Sequence, residues 1–154
     1  MSTRRWFGLF ALALLAGATA GAQELRVQGG NQLLQITTAL PGQEPTVAVN
    51  TATSLRYRRQ PVTTKITIST NCPGQSFTLR VRAVSVQDGT PAPAITLTSG
   101  MPAVDLIRDI PGQAVNPPIR RATLEYTASA TFEQGNSTEL GVDAHVITFT
   151  HVAQ

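Results

Sequence analysis

From Thr123 to Glu133 the chain alternates without a break. Leu124, Tyr126, Ala128, Ala130 and Phe132 fall on one side, and Glu125, Thr127, Ser129, Thr131 and Glu133 on the other. A period of two is the mark of a strand with one face on a core and one face in water. Residues 76–86 repeat the pattern, with Phe77, Leu79, Val81 and Ala83 opposing Thr78, Arg80 and Arg82. Residues 63–70 (TTKITIST) set Ile66 and Ile68 against Lys65, Thr67 and Ser69. Between these two runs, Asn71-Cys72-Pro73-Gly74 reads as a turn, because proline fixes φ and glycine accepts positive φ, and the two runs are expected to form a hairpin.

Asp88-Gly89 supplies another turn, residues 94–98 a short strand and residues 143–150 (DAHVITFT) a last one. Residues 25–28, 33–38, 46–49 and 54–58 carry weaker strand signals. The proline-rich stretch 99–118 breaks the alternation and is expected to cross between sheets or build a surface loop, with residues 103–110 (AVDLIRDI) the best place for a short helix. Beyond residue 22 no run of ten or more positions repeats at helical spacing. Some nine short strands with turns between them predict an all-β fold, an immunoglobulin-like or pilin-like antiparallel β-sandwich. A parallel α/β sheet would need crossover helices.

The N-terminus has the layout of a secretory signal peptide: Arg4 and Arg5, an apolar run over residues 6–16, then the small residues Ala18, Ala20 and Ala22. The apolar run is about half of the roughly 20 residues a membrane span needs. The division is therefore a signal peptide over 1–22 and a single domain over 23–154, exported to the periplasm, the cell surface or the medium of a bacterium, with no membrane span after cleavage. Arg4 and Arg5 are two of the twelve basic residues and all nine acidic ones follow residue 22, which leaves the mature chain near neutrality at +1. A nucleic-acid partner is excluded on that balance, since phosphate contacts demand a basic excess. The single cysteine, Cys72, forms no internal disulfide and is expected to be buried and inert; pairing with a second chain is the alternative.

No nucleophile elbow, His-Glu-x-x-His pair, phosphate-cradling glycine loop or calcium loop occurs, so no catalytic, metal or cofactor residue is assigned and no enzyme activity is expected. His145 and His151 lie six residues apart on one strand, about 20 Å, too far to share a metal. Asp143 and His145 share a strand face, which reads more readily as strand surface than as an oriented base. A nucleophilic Cys72 would have to meet a histidine in space, and its neighbours match no local signature of catalytic cysteines. Asp105 and Asp109 would share a face only on a helix. Arg56 with Arg58, and Arg80 with Arg82, each share a strand face and are the candidate anion- or partner-binding residues. Asn136-Ser137-Thr138 fits a glycosylation acceptor but reads as a turn here.

Residues 121–150 (RATLEYTASATFEQGNSTELGVDAHVITFT) resemble the closing strands of bacterial fimbrial and coat-type secreted β-sandwich subunits. The resemblance implies assembly by lending an extended N-terminal segment to a neighbour's sheet. Leu25 and Val27, alternating before the Gly29-Gly30 hinge, are then the donor strand. The chain departs from fimbrial subunits in lacking a cysteine pair and a tyrosine near its C-terminal end. The expected function is that of a non-enzymatic structural or interaction protein whose partner is itself or another surface protein. The alternative is a carbohydrate- or anion-binding module, although cleavage would remove Trp6 and leave only Tyr57 and Tyr126 for sugar stacking.

Overall fold

The structure, a computed structural model, describes residues 24–36, 44–131 and 143–154. The leader and the Asn136 sequon lie outside the described residues.

The strands are β1 (Leu25–Gln28), β2 (Ala48–Arg58), β3 (Thr64–Asn71), β4 (Thr78–Val86), β5 (Thr90–Pro91), β6 (Ile95–Leu97), β7 (Val104–Ile110), β8 (Ile119–Ser129) and β9 (Val146–Ala153). They form two antiparallel sheets, ordered β1-β2-β8-β4-β6 and β5-β7-β3-β9. Among the described residues there is no helix, and hence none long and apolar enough to cross a membrane. The all-β reading stands, and the layout is that of a β-sandwich.

Alternation sets the core. The first sheet turns Leu55, Tyr57, Leu79, Val81, Ala83, Leu97, Ala122, Leu124, Tyr126 and Ala128 inward, and the second contributes Ile66, Ile68, Leu106, Ile107 and Ile110. The opposite parity of β8 carries Arg121, Thr123, Glu125 and Thr127 to the outer face.

Three sequence expectations are corrected. The segment read as a helix is β7: its register against β3 slips twice, between Thr64 and Ile66 and between Ile66 and Thr67. The slips leave Leu106, Ile107 and Ile110 all buried, and that spacing imitates one face of a helix. Asp105 and Asp109 therefore do not form a helical pair; Asp105 binds Lys65 at 2.9 Å, while Asp109, at φ 55°, bonds to Gln154. Second, β3 and β4 are not a hairpin. β7 and β9 occupy both edges of β3, so the turn after it, closed by Gln75 N–H to Cys72 C=O at 3.1 Å, carries the chain to the other sheet. Third, residues 33–36 belong to no strand, whereas the 46–49 and 54–58 segments merge into the single strand Ala48–Arg58 through an irregularity between Asn50 and Thr53.

His151 stands in the core at 3% exposure, its Nε2 2.8 Å from Thr64 Oγ1 and its ring edge-on to Tyr57 with centroids 6.2 Å apart. Burial holds it below the ordinary histidine range. A base with a depressed folded-state pKa takes up its proton more readily when unfolded. Its contribution is complete above the unfolded value of about 6.5 and is lost as pH falls from there toward the folded value. Thermal melts should therefore be flat from pH 8 to 7 and decline below about 6.5, and His151→Leu should shrink that decline to what His145, also held low by burial, contributes. A decline unchanged in the variant would place its origin elsewhere.

Candidate functional site

The two sheets are unequal, and the difference leaves an opening. β9 ends the four-stranded sheet, and no strand among the described residues pairs with its outer edge. Opposite, the five-stranded sheet continues to β1, so the inward side chain of Val27 is left 51% exposed. Between them runs a groove of about 1020 Å³, lined on one side by Val27, Thr53, Leu79, Tyr126 and Ala128 and on the other by Val146, Ile147 and Phe149. Residues 30–36 also line it, and Leu34 and Ile36 pack against the core while Leu33 stays 69% exposed. The chain's own residues 30–36 thus form part of the groove's wall.

Beside the groove lies a side-chain cluster that linear reasoning missed. β3 and β9 pair from Thr64↔Ala153 to Asn71↔Val146. One step further along the same register sets Cys72 opposite His145. A ligand atom from each of Cys72, Asp143 and His145 lies within 4.8 Å of the other two. The signal was the pairing of the strand before Cys72 with the last strand, which no residue in either announces.

Each member is held from outside the cluster. The Asp143 carboxylate accepts Ser76 N–H (3.1 Å to Oδ1, 2.9 Å to Oδ2) and Phe77 N–H (2.8 Å to Oδ2), which pins the lead-in to β9 against the start of β4. His145 Nδ1 sits 3.1 Å from Thr70 Oγ1. Thr70 Oγ1 also reaches Val146 C=O at 3.4 Å, so one hydroxyl touches both the ring and the first residue of β9. Cys72 is 1% exposed and free. Burial pushes its thiol up, Asp143's charge adds to that, and Ala144 N–H works against both. Burial pushes His145 down, against Asp143. The pair is therefore neutral, and the carboxylate is spent on backbone amides where a triad would need it on the imidazole. Such burial also leaves no surface for an interchain disulfide unless this end of the molecule opens.

The candidate arginines lie on one outer face without forming one ladder. β8 separates them, and the register sets Arg56 opposite Arg121 but Arg82 opposite Glu125 and Arg80 opposite Thr127. Arg82 is bound to Glu125 at 2.6 Å, and Arg58 to Glu24 at 3.2 Å and to Pro117 C=O at 2.9 Å. Instead, Arg26, Arg56 and Arg121 face one another across three strands. Among the described residues Arg56 Nε is buried without a hydrogen-bond partner.

The donor residues Leu25 and Val27 sit in β1, paired within the chain to Tyr57 and Leu55. Gly29 and Gly30 follow with φ of 115° and 62°, and a Cβ on Gly29 would come 2.5 Å from Ala52 C=O. No family model, curated protein or solved structure matches the chain.

Proposed function

We propose that the chain is an exported, non-enzymatic structural subunit, an immunoglobulin-like or pilin-like sandwich that self-associates by adding the extended N-terminal segment of a second copy to the free edge of β9. The observation that carries this reading is the groove: apolar walls beside an unpaired strand edge are what strand addition uses, main-chain bonds supplying affinity and side-chain pockets register. The segment itself supplies the second copy as occupant. β1 is held by four residue pairs, the Gly29-Gly30 hinge follows, and residues 31–36 already place Leu34 and Ile36 against the core without a backbone ladder. Exchange between copies would keep those side-chain contacts and add the ladder.

Light scattering coupled to size exclusion on the mature chain tests it. The expected result is a concentration-dependent oligomer that is lost on deleting residues 23–36, which removes β1, the hinge and the residues at the groove together, and weakened by Val146→Lys, which puts a charge on an exposed position of the free-edge strand. A chain that stays monomeric at high concentration, with stability unchanged by the deletion, would sink the proposal.

A second reading, an anion-binding module, is favoured by the arginine row. Arg26, which Glu24 binds at 3.5 Å, stands in cross-strand register with Arg56 and Arg121, whose like charges repel, and a sulfate or carboxylate would relieve both that repulsion and the unpaired Arg56 Nε. Retention on a heparin column that Arg56→Ala abolishes is the expected result, and flow-through at low salt would retire the idea.

A further inference from the structure

We infer that Cys72, Asp143 and His145 form a binding site for a divalent transition-metal ion of the zinc class. The inference rests on the cluster's geometry and is independent of the self-association reading. Tetrahedral zinc, with bonds of about 2.0–2.3 Å, holds its donors roughly 3.3–3.8 Å apart. The three donor atoms already lie within 4.8 Å of one another, so closing on an ion shortens their separations by up to about 1.5 Å.

Softness selects the ion. Thiolate with imidazole and one carboxylate suits zinc and its neighbours, whereas magnesium and calcium call for an all-oxygen shell. The surroundings meet what a metal centre asks of its outer shell. Thr70 Oγ1 lies at 3.1 Å from His145 Nδ1 and holds the ring in place. Ser76 and Phe77 amides fix the Asp143 carboxylate, with two bonds on Oδ2 and a single longer one, 3.1 Å, on Oδ1. Oδ1 therefore keeps a lone pair. On binding, the Cys72 thiol releases its proton to solvent as the sulfur–metal bond forms. Three protein donors leave a fourth position for water, the composition of open rather than closed zinc sites.

The test is titration of the purified, reduced chain with Co²⁺, followed by displacement with Zn²⁺. Binding at the site gives the visible bands of tetrahedral cobalt together with a near-ultraviolet sulfur-to-cobalt charge-transfer band, and one equivalent of zinc removes both. Cys72→Ala should abolish the charge-transfer band. His145→Ala should weaken zinc binding by at least tenfold, and Thr70→Val, which removes only the ring's outer partner, by about tenfold with the band retained. Cobalt that keeps its aqueous spectrum in the folded wild-type chain overturns the inference without recourse to any variant. So does zinc affinity that is unchanged in both His145→Ala and Asp143→Asn.

Discussion

Leu124→Ala should lower the unfolding free energy by about 3–4 kcal/mol, the middle of the range for removing a fully buried leucine from a packed core. Leu124 has no solvent exposure and lies on β8, the central strand of the five, with Thr53 and Ala83 as its cross-strand neighbours on β2 and β4. It faces the second sheet. The removed methyl groups lose their transfer energy, and strands on both sides of β8 hold the backbone in place, so the cavity cannot collapse. Urea unfolding should show the midpoint falling with the slope unchanged, because the surface exposed on unfolding is nearly the same. A loss below about 1 kcal/mol would mean that the two sheets do not pack over β8 as described.

That residue was legible from parity alone, and so was most of the fold around it. Alternation names the inward set on β4 and β8 because each lies in regular register over most of its length, and a regular register preserves the period of two. The reading failed where register slips. β7 pairs with β3 through two irregularities, which bury Leu106 and Ile107 side by side and erase the period that would have marked a strand. It failed also where sequence neighbours separate in space. The turn at residues 72–75 has the composition of a hairpin, but composition fixes the corner and says nothing of which edge is vacant. Here β9, some eighty residues downstream in the chain, takes the place beside β3 that a hairpin partner would have had.

The same long-range pairing decides what could be read of the site. Asp143 and His145 share a face by parity, and Cys72 ends a strand by its turn residues, each visible in the sequence. Their meeting is not, since it needs the β3–β9 register, a contact between segments that share no local signal. The arginines illustrate the converse. Arg56 with Arg58, and Arg80 with Arg82, each share a strand face, but β8 intervenes with a glutamate at one level and an arginine at another, so the residues that gather are Arg26, Arg56 and Arg121. Face is a local property and follows from alternation; adjacency is a property of strand order, which alternation does not contain.

Asp88→Asn should cost about 2 kcal/mol at neutral pH, and the cost should vanish in acid. The carboxylate closes one end of the sandwich: it binds Arg59 at 2.6 and 2.8 Å and Arg120 at 2.5 Å, while its backbone carbonyl accepts the hydroxyl of buried Tyr57 at 2.7 Å. The next residue, Gly89, has φ 94° and no room for a Cβ, which would stand 2.6 Å from Arg108 C=O, so the turn cannot shift to release the aspartate. Asparagine keeps the shape but presents an amide N–H₂ to one of the two guanidiniums and removes the charge both require. The hydrogen bond from Arg59 holds Asp88 below the usual carboxylate range, with Arg120 aiding and burial opposing. A carboxyl with a depressed folded-state pKa stabilises the fold fully above its unfolded value of about 3.9 and loses that contribution as pH falls through the folded value. Wild type and variant should accordingly differ in melting temperature by roughly 6 °C at pH 7 and converge as the pH drops below about 4. A gap that persists undiminished at pH 3 would assign the loss to packing at the turn, and no gap at pH 7 would show that the two arginines find water as good a partner as Asp88.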